Sequence, residues 1–182
     1  MEKKKKTLNV LCYILLAAAF VLCIYRYTEA SPVSFSIFSD ALIVLATVAG
    51  FLYAIKKYKK NAAMFYKAFM FLFCLALAAT VVYDILASIK FSDSNSISQI
   101  LETIICVNFC MLTFAKDLGE KTSKGIAYSI LAVSFINSLR LIILFSSRMS
   151  TIARALVGIF IAGAAVIFVL EKYMDKAERG TK

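Results

Sequence analysis

Six hydrophobic stretches, separated by short polar or charged segments, cover most of this chain. They fall at about residues 8–27, 35–55, 65–89, 97–115, 126–146 and 151–170. Each stretch approaches the roughly 20 residues that a helix needs to cross a bilayer. The pattern predicts an all-α integral membrane bundle of six transmembrane helices with short loops. We expect residues 1–182 to form a single transmembrane domain.

Only the first span contains an uncharged run of 19 residues, from Thr7 to Tyr25. Each of the other five reaches spanning length only by including one charged side chain. A charge at the bilayer centre costs on the order of 2.5–3.5 kcal/mol, so it usually marks an ion pair, a pathway or a ligand site. With Lys67 assigned to the lysine-rich segment that follows span 2, these charged residues are Asp40, Asp84, Glu102, Arg140 and Arg154.

Orientation follows from the distribution of lysine and arginine. The N-terminus, the segments after spans 2 and 4, and the C-terminus together hold 16 of the 21 basic residues. Such segments usually face the cytoplasm. The sequence therefore predicts a multi-pass protein of the cell membrane with both termini cytoplasmic, and all five charged residues within the spans then lie near the outer surface.

The charges in the spans are segregated by sign. The acids lie on spans 2, 3 and 4, and the arginines lie on spans 5 and 6, with Arg26 closing span 1. If the helices form one ring, an acidic arc faces a basic arc. Span 5 adds an amide and two serines on one helical face, and polar faces of membrane helices point inward. The candidate ligand-binding residues are Asp40, Asp84, Glu102, Asn137, Arg140 and Arg154.

A structural role for the same charges remains open. Side chains near an interface can extend to the headgroups, or they can pair with one another and fix the register of the helices. The first interpretation predicts an outward-facing pocket for a small polar or charged solute, and the second predicts ion pairs without a ligand.

Composition narrows the function classes. Mean hydropathy is +0.82, and the net charge of +10 is concentrated in the segments between spans, so we expect no nucleic-acid partner. The chain has no histidine, which excludes catalysis by imidazole and metal sites with imidazole ligands. No catalytic residue is assigned, and enzymatic activity has no motif to support it. A lipid-active enzyme using Asp84 or Glu102 is the weakest hypothesis.

All five cysteines lie within the predicted spans: Cys12, Cys23, Cys74, Cys106 and Cys110. We therefore expect no disulfide framework and interpret the cysteines as small buried residues. Cys106 and Cys110 are one helical turn apart and could bind a soft metal only if a partner helix adds ligands. We expect no resident metal or cofactor.

Small residues recur every fourth position in two spans. They are Ala46, Gly50 and Ala54 in span 2, and Gly158 and Ala162 in span 6. Such stripes let helices approach closely. Packing within the monomer is the favoured interpretation, and a homo-oligomer or a membrane partner subunit is the alternative. The spans contain no proline, which argues against the broken helices of many ion-coupled transporters.

In size, span number and orientation, the chain resembles the substrate-binding membrane subunits of energy-coupling-factor vitamin transporters. The resemblance implies a solute-binding bundle that works with partner subunits. It stops at architecture, because the Ala-x-x-x-Ala signature common in span 1 of that family is absent. Ala17, Ala18 and Ala19 are followed four residues later by Val, Leu and Cys. No ligand residue carries over.

Two principal hypotheses of function result. In the first, the protein binds or transports a small polar or charged solute through the outer charged cluster. In the second, it is a non-transporting regulator, sensor-input or immunity-type subunit that acts through helix contacts. The expected partners are the lipid bilayer and, according to the hypothesis, a solute, a membrane subunit or a second copy of the chain.

Overall fold

The computed structural model describes residues 2–29, 36–55, 61–91, 96–115, 118–144 and 149–180. Six helices account for nearly all of them, which confirms the predicted helical segments. The predicted loop around Pro32 lies outside the described residues, as do 92–95 and 145–148. The helices are α1 (Glu2–Glu29), α2 (Ser36–Ala54), α3 (Ala62–Phe91), α4 (Ser96–Phe114), α5 (Glu120–Leu144) and α6 (Met149–Gly180).

Five of these helices contain a segment long and apolar enough to cross a membrane, and the apolar segment of α2 is shorter. Its apolar part, Phe38–Ala54, is about 25 Å long at 1.5 Å per residue, whereas the hydrocarbon core is about 30 Å thick. A membrane-embedded helical bundle is therefore supported. The sixth crossing and the orientation of the termini remain predictions.

The helices form a closed ring. Each helix packs against its neighbours in the chain, and α6 packs against α1. Because short segments join consecutive helices, their directions alternate. We call the end at which α1, α3 and α5 finish and α2, α4 and α6 begin the Arg26 end, and the opposite end the Tyr173 end.

Aromatic and small side chains fill the middle of the ring. The ring of Phe168 meets Phe69 and Tyr53 edge to face, with centroids 5.0 and 4.6 Å away. Large apolar side chains also cover the outside of the bundle, where Val21 and Ile143 are 62% and 67% exposed. An apolar exterior around an apolar core is what a lipid-embedded bundle requires.

The small-residue stripe of α2 packs inside the monomer. Ala46, Gly50 and Ala54 are buried. A Cβ atom on Gly50 would lie only 3.1 Å from side-chain carbons of both Leu16 and Phe69. This stripe therefore brings α2 close to α1 and α3, which supports the interpretation of internal packing.

Gly163 marks a second close approach, between α6 and α1. A Cβ atom there would lie 3.0 Å from a methyl carbon of Leu15. The sequence stripe named Gly158 and Ala162 on α6 instead. Ala162 is fully buried, but a Cβ atom on Gly158 would meet nothing within 4 Å, because this glycine borders a cavity.

Candidate functional site

The polar residues of α4 and α5 point into the bundle, as their helical spacing predicted. Ser134, Asn137 and Ser138 are at most 6% exposed, and so are Ser98 and Glu102 on α4. These side chains lie near the Arg26 end. Two helices thus bring hydroxyl, amide and carboxylate groups to the interior of the ring.

One ion pair joins neighbouring helices at this end. Arg26 Nη1 donates a hydrogen bond to Asp40 Oδ1 at 2.6 Å. The side chains are 12% and 3% exposed. Removing one partner of such a buried pair leaves an uncompensated charge, which is strongly destabilising. This pair fixes the end of α1 against the beginning of α2.

A second ion pair crosses the interior of the ring. Arg154 Nη2 on α6 lies 3.0 and 3.3 Å from the two carboxylate oxygens of Glu102 on α4. Helix α5 stands between α4 and α6 in the ring. Both ion pairs lie at the Arg26 end of the bundle.

A cavity of about 100 Å³ lies beside these pairs, with walls from all six helices. Arg26, Glu102 and Arg154 supply its charged groups, and Phe73 and Leu141 are among its apolar walls. Small-molecule sites commonly combine an apolar lining with a few converging polar groups. This small cavity likewise combines apolar walls with three charged side chains.

Asn137 is the polar group in this cavity whose hydrogen bonding is incomplete. Its side chain lines the cavity and is 6% exposed. Its Oδ1 atom accepts no hydrogen bond from the residues that the structure describes. A buried acceptor without a partner costs about 1–3 kcal/mol, and such groups are few in native proteins. The oxygen is available to an N–H or O–H group of a bound molecule.

Hydroxyl groups hold the walls of the cavity. Ser39 and Thr80 lie 2.8 Å apart through their side-chain oxygens, and Thr80 donates to the Ala76 carbonyl at 3.0 Å. On the opposite wall, Ser138 donates to the Ala155 carbonyl at 2.8 Å. These bonds connect α2 to α3 and α5 to α6, so the polar wall groups are fixed in place.

Some of the predicted ligand-binding residues line the cavity, and others do not. Glu102, Asn137 and Arg154 line the cavity, and Asp40 reaches it through its bond to Arg26. Arg140 is not among the lining residues, and its Nη1 donates to Ser98 Oγ. The side chain of Asp84 lies outside the described residues. Two of the acids pair with arginines. The Arg154–Glu102 pair joins helices on different sides of the ring, whereas the Arg26–Asp40 pair joins the adjacent helices α1 and α2.

Arg26, Ser39 and Thr80 line the cavity but were not among the predicted ligand-binding residues. Arg26 ends an otherwise uncharged span, where a basic residue ordinarily marks the membrane interface. The sequence feature that could have indicated its role is its positive charge, which is complementary to the negative charge of Asp40. Single hydroxyls in apolar helices carry little signal, because they can bond their own backbone.

Three cysteines form a separate cluster between α3 and α4. Cys74 Sγ lies 3.1 Å from Cys110 Sγ. With Cys106, all three sulfur atoms lie within 4.8 Å of one another. Cys74 thus brings a third sulfur atom, from a neighbouring helix, to the other two cysteines. Its position was not predicted, because the relative height of two helices depends on their packing.

Comparison of the chain with protein-family models, with curated proteins and with solved structures gives no match in any of the three. The resemblance to vitamin-transporter subunits therefore rests on size and helix number.

Proposed function

We propose that this protein binds a small polar solute in the cavity between Asn137 and the Arg154–Glu102 pair. The observation that carries the proposal is the buried Asn137 oxygen at the cavity wall, which accepts no hydrogen bond from the described residues. A solute that donates to this oxygen offsets the cost of burying it. Binding is the proposed activity, and transport would additionally require a second conformation.

The charges favour a zwitterionic or neutral solute. Arg26 and Arg154 are balanced by Asp40 and Glu102. A solute with net charge would add an uncompensated charge to a low-dielectric interior. A zwitterion can place its carboxylate beside an arginine and its ammonium beside an acid or the Asn137 oxygen, with charge-assisted hydrogen bonds to both.

The volume limits the size of the solute. A cavity of about 150 Å³ accommodates benzene, and the cavity here measures about 100 Å³. Scaled by volume, a solute of about four or five non-hydrogen atoms is therefore near the upper limit. Glycine is a zwitterion of this size at neutral pH.

The orientation predicted from the lysines places this cavity toward the outside of the cell. The solute would then arrive from outside. The regulator hypothesis relied partly on small-residue stripes as a partner surface, but the α2 stripe packs against Leu16 and Phe69. We therefore place the proposed function in the cavity rather than on the lipid-facing surface.

A stability screen tests the proposal. The purified full-length protein is heated in detergent with each of a panel of small zwitterions, and with acetate and methylamine as singly charged probes. We expect at least one zwitterion to raise the melting temperature in a concentration-dependent way, because a ligand that binds only the folded state stabilises it. The singly charged probes should have smaller effects.

Two glycine substitutions provide the matched control. Gly158→Leu fills the cavity without a clash at Cβ, whereas Gly125→Leu makes the same change at an exposed position of α5. The stabilisation by solute should disappear in Gly158→Leu and persist in Gly125→Leu. Equal stabilisation of both variants would show that the solute binds elsewhere and would refute the proposal.

A further inference from the structure

The cysteine cluster lies deeper in the bundle than the charged cavity. Cys106 is one helical turn beyond Glu102 on α4, and Cys74 follows the cavity-lining Phe73 on α3. Cys74 is buried, and Cys106 and Cys110 are half-buried. The cluster therefore adjoins the cavity wall but shares no side chain with it.

Three sulfur atoms converge here from two helices. Besides the 3.1 Å contact between Cys74 and Cys110, Cys106 Sγ lies 3.9 Å from the Cys74 carbonyl oxygen. The remaining two cysteines, Cys12 and Cys23, are on α1 and belong to the apolar core. Burial as small apolar residues explains those two, but it does not require three thiols to meet at one point.

From this geometry we propose that Cys74, Cys106 and Cys110 bind one soft metal ion, with Cu(I) the best match. An ion at about 2.3 Å from each of three sulfurs holds them about 4 Å apart. All three sulfurs already lie within 4.8 Å of one another, so the Cys74–Cys110 pair need open by only about 1 Å. A change of this size is within reach of side-chain rotation.

The ligand set selects the ion. Thiolates favour Cu(I), zinc and iron–sulfur clusters, whereas oxygen ligands favour magnesium and calcium. Structural zinc sites are almost always tetrahedral with four protein ligands. Among the described residues, the group that could hold a metal contains only these three cysteines. Cu(I) accepts a trigonal set of sulfur ligands and needs no fourth.

Coordination has a defined proton balance. A thiol that binds as thiolate releases its proton to water. With Cu(I), one thiolate leaves the site neutral, two leave a net charge of −1 and three leave −2. Because charge within the membrane is costly, we expect coordination to release fewer than three protons.

This site is independent of the proposed solute, and its test has a separate readout. The reduced full-length protein in detergent is titrated anaerobically with Cu(I) against a chromophoric Cu(I) chelator. We expect one ion per chain to be retained, with X-ray absorption showing sulfur ligands alone. Cys74→Ser and Cys106→Ala should each weaken binding by more than the roughly 10–100-fold that losing an outer-shell partner causes.

Cys12→Ser and Cys23→Ser are the matched controls, because they remove a buried thiol outside the cluster. Both should retain one ion per chain, and all variants should elute as the same folded species on gel filtration. Equal retention by the cluster variants would overturn the proposal. Preference for zinc over Cu(I), or formation of a Cys74–Cys110 disulfide without metal retention, would overturn the assignment to Cu(I).

Discussion

Arg154 on α6 contacts both carboxylate oxygens of Glu102 on α4, at 3.0 and 3.3 Å, across the position of α5 in the ring. The pair therefore constrains two helices that are not adjacent. The side chain of Glu102 is 7% exposed and that of Arg154 is 33% exposed, so the carboxylate is buried beside the arginine. This buried contact leads to the first prediction.

Arg154→Gln should destabilise the bundle by about 2–4 kcal/mol, because breaking a buried ion pair leaves a charge without its partner. The double variant Arg154→Gln with Glu102→Gln should recover part of the loss, since no lone charge remains. Thermal unfolding in detergent measures both variants. Glu120→Gln is the matched control, because its pair with Lys124 is exposed and worth about 0.3–0.5 kcal/mol. Equal losses of stability in Arg154→Gln and Glu120→Gln would contradict a stabilising role for the Arg154–Glu102 pair.

Asn137→Leu should separate stability from binding. It removes a buried carbonyl oxygen without a partner among the described residues, so the melting temperature should stay constant or rise. Stabilisation by a zwitterionic solute should be lost. Ser138→Ala makes the comparison, since its hydroxyl donates to the Ala155 carbonyl and its removal should cost about 1 kcal/mol. A marked loss of stability in Asn137→Leu would assign this amide a structural role.

Gly50→Leu should destabilise the fold through overpacking. Even a Cβ atom there lies 3.1 Å from Leu16 and Phe69, and extra methylenes in a packed core cost about 1–3 kcal/mol. Gly125→Leu, at an exposed helical position, should be neutral or slightly stabilising. Melting temperatures check both. A stable Gly50→Leu variant that loses a co-purifying partner would instead support the regulator hypothesis.

The two ends of the bundle should face opposite sides of the membrane, with the Arg26 end outside. In a variant without its native cysteines, Thr28→Cys and Thr122→Cys place thiols at exposed positions of the two ends. A membrane-impermeant maleimide added to intact cells should label only the Thr28→Cys variant, and permeabilisation should expose the other. The reverse pattern would place the cavity toward the cytoplasm.

Much of the architecture could be predicted because the length of each hydrophobic stretch depends only on consecutive residues of the sequence. The six apolar stretches correspond to six helices, and the inward faces of Glu102 and Asn137 follow from helical spacing. Pairing depends instead on the height and rotation of each helix, which packing decides. Hence the partners Arg26–Asp40 and the approach of Cys74 to Cys110 appeared only in the folded bundle. Arg140, which lines no wall of the cavity, shows that sign and depth alone do not define a site.

Analysis of the small molecules that accompany the protein from its own membranes tests the central claim most directly. Wild type and Gly158→Leu are purified in parallel under mild conditions, and their extracts are compared by mass spectrometry. The proposed function predicts a small zwitterionic or neutral polar compound that is enriched with wild type, retained by Gly125→Leu and missing from Gly158→Leu. Identical extracts from all three proteins, with no solute that stabilises wild type, would contradict a binding function for the cavity.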